Sequence, residues 1–85
     1  MTITLKYFAS LREQLNCEQE TLVLPVQGFT AESLRQHLID RGEPYASALA
    51  HNRAVRVAVN FDVVAPGFEI PDQAEVAFFP PVTGG

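Results

Sequence analysis

The chain has 85 residues, enough for one small domain around a single hydrophobic core and too few to wall in a deep pocket on all sides. Apolar residues make up 47% and charged residues 19%, an ordinary globular balance rather than a disordered one. Ten acids against Lys6 and five arginines leave a net charge of −4 with no cationic cluster, which excludes a phosphate-backbone binder and mildly favours a basic partner surface.

Ile3, Leu5 and Tyr7 alternate with Thr4 and Lys6, the period-two signature of a strand over residues 2–8. Ser10 is placed to open a short helix, with Glu13 completing a capping box and Leu11 and Leu15 forming its apolar side; Asn16 and Cys17 end it. Glu20 to Val26 reads as a second strand, and Pro25 marks it as a strand end or exposed edge. Thr30 is a good N-cap for the main helix, with Glu32 in its first turn, Leu34, Leu38 and Ile39 as its buried stripe, and Arg41, Gly42 and Pro44 as stop signals. Residues 45–50 form one further helical turn. Val55, Val57 and Val59 alternate as the clearest strand, Val63 and Val64 pair back on it, and Pro66-Gly67 turns the chain. Glu75 to Phe79 is the last strand, stopped by Pro80-Pro81.

The order β, short α, β, α, then two or three strands predicts an α+β fold in which a mixed sheet wraps one main helix. First and last strands are both densely apolar, so both belong in the middle of the sheet, the arrangement of the β-grasp or ubiquitin-like fold. The expected division is a β-grasp domain over residues 1–79 and an extended, flexible C-terminal Gly-Gly tail over residues 80–85.

Single Cys17 makes no internal disulfide, no Cys/His cluster has metal-ligand spacing, and a four-thiolate iron–sulfur site is excluded. The N-terminus lacks the basic start and apolar run of a signal peptide, and no stretch approaches the ~20 apolar residues of a membrane span. A reduced cytoplasmic setting is the simplest expectation.

The final segment carries the strongest functional signal. No charged side chain follows Glu75. Pro80 and Pro81 favour an extended conformation leading away from the body, and Gly84 and Gly85 lack the Cβ atoms that would obstruct entry to a narrow channel. Six residues reach at most about 20 Å, a length suited to delivering the terminus into another protein's active site. A carboxylate is unreactive at neutral pH, so it must be activated, and an acyl-adenylate made with ATP is the general route. A sulfur donor can then displace AMP and leave a thiocarboxylate, whose ionised sulfur is a good nucleophile.

The run Glu75-Val76-Ala77-Phe78-Phe79-Pro80-Pro81-Val82-Thr83-Gly84-Gly85 closely resembles the end of the small subunit of molybdopterin synthase, the MoaD family. Similarity extends to Tyr7-Phe8-Ala9 with Leu11-Arg12-Glu13, to Leu34-Arg35-Gln36-His37-Leu38 and to Ala58-Val59-Asn60, covering nearly the whole chain. The resemblance implies a β-grasp sulfur carrier whose Gly85 is adenylated by an E1-like enzyme at the expense of ATP and converted to 1-thioglycine. It implies no bound cofactor and no catalytic pocket of its own. The implied partner is the large synthase subunit, typically in a heterotetramer of two small and two large chains. In that subunit's pocket, cyclic pyranopterin monophosphate (precursor Z) receives sulfur for the molybdopterin dithiolene, and two charged carriers are consumed per product. Gly85 matches the modified residue; Val82, Thr83 and Gly84 match the threading tail; Phe79, Pro80 and Pro81 match the docking region.

Other residues carry blander readings. Cys17 is a small buried or bystander thiol rather than a sulfur relay. His37 and His51 lack a nucleophile or carboxylate at motif spacing, which favours solvated or capping roles. Phe78 and Phe79, as strand neighbours, must face opposite ways, one into the core and the other toward a partner. Asp62, Glu69, Asp72 and Glu75 line a stretch with no basic residue, a solvated edge that can also face basic groups on the activating enzyme. Two alternatives stay open: a carrier for another pathway, such as thiamine-type thiazole synthesis or ubiquitin-like protein modification, and a β-grasp interaction module whose tail has no role.

Overall fold

Alternating apolar residues at both ends of the chain bring its first and last strands side by side. The computed structural model describes residues 1–81. Its elements are β1 (Thr2–Tyr7), α1 (Ala9–Leu15), β2 (Gln19–Val23), α2 (Ala31–Ile39), α3 (Tyr45–Ala48), β3 (Arg56–Val59), β4 (Asp62–Val63) and β5 (Glu75–Phe79). The five strands form one mixed sheet in the order β2-β1-β5-β3-β4. β1 pairs in parallel with β5, Leu5 opposite Val76 and Tyr7 opposite Phe78, and every other pairing is antiparallel. This is the expected α+β, β-grasp arrangement, with the first and last strands in the interior of the sheet.

The pleat sends alternate side chains to opposite faces. Ile3, Leu5 and Tyr7 of β1 and Val76 and Phe78 of β5 are buried on one face. They pack with Leu11 and Leu15 of α1, Leu34 and Leu38 of α2, and Ala48 and Leu49 at the end of α3. β2 stops at Val23, short of Pro25, and lies at the sheet edge.

Helix boundaries follow local hydrogen bonding. Thr30 caps α2 as expected, and Ser33 completes the capping box: Ser33 N donates to Thr30 Oγ1 at 3.1 Å and Thr30 N to Ser33 Oγ at 2.8 Å. Ser10 does not open α1. The N-cap is Phe8, whose side chain cannot accept a bond, and Ser10 lies inside the helix. Phe8 N still donates to Phe78 O at 3.2 Å, so the chain leaves the sheet at Phe8 and helix begins at once, before Ser10 can act.

One polar cluster ties the elements together. The Glu20 carboxylate on β2 accepts from Tyr7 Oη and Tyr45 Oη, each at 3.0 Å, and from Arg41 Nη1 at 2.9 Å. The Arg41 guanidinium also sits 5.0 Å from the Tyr45 ring centroid, within cation–π range. Four segments thus converge on one carboxylate, and among the described residues no buried side-chain N or O atom lacks a partner. Such satisfaction is what makes a partly buried charge tolerable.

Two expectations follow. Phe78→Ala empties a fully buried site between β5 and the helices and should lower the unfolding free energy by about 3–5 kcal/mol in urea titration, a large share of a small domain's stability. Burial first, and the adjacent Glu20 carboxylate second, push the Tyr7 hydroxyl well above the usual tyrosine range. The folded state therefore holds this proton more tightly than the unfolded chain does. The resulting stability is complete below about pH 10, where unfolded tyrosine begins to ionise, and declines as pH rises further. Denaturation across an alkaline pH series should show that decline, and Tyr7→Phe should flatten most of it.

Candidate functional site

All three helices pack on one face of the sheet, which leaves the other face without a covering layer. The strand registers place Lys6, Ala77, Ala58 and Val63 in one row across β1, β5, β3 and β4. Small alanines in the middle of that row make a floor. Phe8, Phe61, Phe79, Pro80 and Pro81 rise around it and enclose an open trough of about 710 Å³. Phe8 is 45% exposed, Val63 66% and Phe61 85%, an apolar concentration of the kind that marks an interaction site.

The trough carries one ion pair. Lys6 Nζ lies 3.0 Å from Glu75 Oε1, diagonally across the β1–β5 ladder, with both side chains about a third exposed. At that exposure the pair adds little stability. It does make any partner that covers the trough meet a charge of each sign beside apolar surface.

Phe78 and Phe79 divide as alternation requires. Phe78 has no exposed area, while Phe79 is half-buried on the open face at the end of β5. Pro80 and Pro81 follow at the rim of the trough. The expected docking residues Phe79, Pro80 and Pro81 therefore come together. Val82, Thr83, Gly84 and Gly85, the last four residues of the expected tail over 80–85, lie outside the described residues.

Phe8 and Val63 were not singled out from sequence as trough residues, although their spacing carries the signal. Phe8 is in phase with Thr4 and Lys6, and Val63 pairs with Ala58. Phe61 sits in a turn, where alternation is silent.

The other reactive residues are committed to packing or local bonds. Cys17 is partly buried against the core, and its Sγ lies 3.6 Å from Gln19 O. His37 meets Phe29 edge-on, with ring centroids 5.7 Å apart, and His51 Nε2 lies 2.6 Å from Gln36 Oε1. A smaller hollow of about 130 Å³ is lined by Glu32, Arg35, His51, Arg56 and apolar neighbours. The Arg35 guanidinium there is already spent on the carbonyls of Leu49 (2.7 Å), Ala50 (2.6 Å) and Arg53 (3.1 Å), and burial lowers its pKa from the usual value. Among the described residues, no group of three or more His, Cys, Asp or Glu could hold a metal ion, and no helix is long and apolar enough to cross a membrane.

Comparison with known proteins places this geometry. Residues 5–85 match the model of the ThiS family. The chain is 35% identical to the molybdopterin synthase sulfur carrier subunit of Haemophilus influenzae over 93% of its own length and 94% of that protein's. It is 36% identical to the subunit of the same name from Escherichia coli, over 98% of this chain and 99% of that one. Among solved structures, a chain from Pyrococcus furiosus described as molybdopterin converting factor subunit 1 superposes with a TM-score of 0.78 at 26% identity, covering 96% of this chain and 99% of the other. A Helicobacter pylori structure described as a complex of subunits 1 and 2 of molybdopterin-converting factor superposes at 0.64 with 18% identity over the full length of both chains, a likeness of fold.

Proposed function

The chain belongs to the ThiS family, and from that premise we propose that it is the sulfur-carrier subunit of a molybdopterin synthase. The observation that carries this reading is the near end-to-end match to two sulfur carrier subunits of that enzyme, continuing through residue 85 in the family model.

In this reading the Gly85 carboxylate is the reacting group. It attacks the α-phosphorus of ATP on an E1-like adenylyltransferase, forming an acyl-adenylate and releasing pyrophosphate. A sulfur donor then displaces AMP and leaves a thiocarboxylate, the 1-thioglycine form of Gly85. Transfer of that sulfur to precursor Z, with water supplying the returning oxygen, restores the carboxylate. Each charged chain delivers one sulfur, so a dithiolene requires two. Glycine suits the position because no side chain crowds the carbonyl under attack.

The open face supports a partner that grips the body while it receives the end. Phe79, Pro80 and Pro81 stand at the trough rim where the chain runs on toward Gly85, and four further residues span at most about 14 Å. A partner seated on the trough therefore has the terminus within reach of its own interior. The large synthase subunit is that partner, in keeping with the Helicobacter pylori structure of two such subunits together. Val82, Thr83 and Gly84 serve as the threading segment.

Intact-mass measurement of the protein from cells with a working sulfur pathway should show a fraction with one oxygen replaced by sulfur at the C-terminus. Deleting Gly84-Gly85, or extending the chain past Gly85, should abolish molybdopterin formation and leave the unfolding midpoint unchanged. A terminus that is always an ordinary carboxylate, together with a truncated chain that still supports cofactor synthesis, would sink the reading. Val63→Asp puts an unpaired charge on the exposed trough wall, so it should weaken large-subunit binding at least about tenfold. Its effect on stability should stay within about 0.5 kcal/mol. Association with a thiazole-forming enzyme instead of the large subunit would assign the carrier to the other pathway.

A further inference from the structure

Phe61 carries two costs that the isolated fold does not recover. It lies with Asn60 in the two-residue turn between β3 and β4, where Val59 pairs with Asp62. Both turn residues have positive φ, 48° at Asn60 and 74° at Phe61. Such a hairpin turn is built most easily from Asn-Gly, because the second position is strained for any residue with a Cβ. Asn60 justifies its place: its side-chain Oδ1 accepts from Glu75 N at 3.0 Å, and its own N–H donates to Glu75 O at 2.8 Å. Phe61 makes no comparable return. Its ring is 85% exposed, the most exposed large apolar side chain among the described residues.

A bulky aromatic held in a left-handed conformation and turned to water points to a use outside the chain. Phe61 lines the same trough as Phe79 and Pro81, and its turn is bonded to Glu75 at the start of β5, so its ring carries the apolar surface to the opposite end of the trough. The turn is pinned through Asn60 to the central strand β5, which fixes the base of the side chain in advance and reduces the ordering cost of binding. The next residue, Asp62, pairs with the buried Val59 and so takes the opposite face of the pleat, while Phe61 and Val63 line the trough.

We propose that Phe61 is a preset anchor that inserts into an apolar hollow on the large subunit of molybdopterin synthase and contributes to partner selection. This inference rests on the sulfur-carrier reading above. Aromatic anchors seated in pockets are the side chains that dominate such interfaces.

The two costs give the test an unusual sign. Phe61→Gly relieves the turn and removes the ring, so it should raise the melting temperature while weakening binding to the cognate large subunit at least about tenfold by titration calorimetry. Phe61→Leu keeps the strained turn, so it should leave the melting temperature near that of the parent chain while its binding falls between the parent and Phe61→Gly. A wild-type complex that tolerates Phe61→Gly with unchanged Kd overturns the anchor and leaves the carrier reading standing. Weaker binding accompanied by a lower melting temperature also overturns it, because the ring would then be serving the fold. Failure of the wild-type chain to bind the large subunit at all removes the carrier reading and this inference with it.

Discussion

The parallel pairing of β1 with β5 is the constraint on which the rest of the molecule depends. Both strands lie in the interior of the sheet, and every other element is connected between them in sequence. Leu5 opposite Val76 and Tyr7 opposite Phe78 set the register, which fixes the side chains that face the helices. A slip of one residue would turn Phe79 inward and Phe78 out, exchanging core for trough along the whole strand. Fold and docking surface are therefore two readings of a single register.

This arrangement separates stability from recognition within one five-residue strand. Val76 and Phe78 belong wholly to the core, while Glu75, Ala77 and Phe79 belong to the open face. The helix-side layer is densely apolar and locked at its margin by the Glu20 cluster. The opposite layer leaves aromatic rings in water, and among the described residues no helix covers it. A change on one side can thus alter binding while the hydrophobic core stays intact.

Much of the fold is legible in the sequence because alternation and capping are local. Ile3-Leu5-Tyr7 and Glu75–Phe79 announce their strands, Thr30 announces α2, and the apolar density of the end strands announces their interior position. Features that depend on distant partners are less legible. Ser10 looks like a cap until Phe8 is seen bonded to Phe78, a contact between opposite ends of the chain. Nothing near Glu20 in sequence says that Tyr7, Arg41 and Tyr45 will converge on it. In the site, Phe79, Pro80 and Pro81 could be picked out by their position at the end of the last strand and just beyond it. Phe61 could not, because its importance comes from a backbone conformation and a neighbouring sheet face. Gly85 stands the other way round, assigned from sequence and chemistry alone.

Strand β5 is bonded on both sides, in parallel to β1 and antiparallel to β3, and it is the strand from which the chain leaves toward Gly85. A pull exerted beyond Phe79 acts along the strand, across the direction of its ladder hydrogen bonds. It therefore loads those bonds together in shear instead of opening them one at a time as a zipper would. In the proposed carrier role the body then serves as a mechanical anchor, because a partner that draws on the end loads the β5 ladder bonds together.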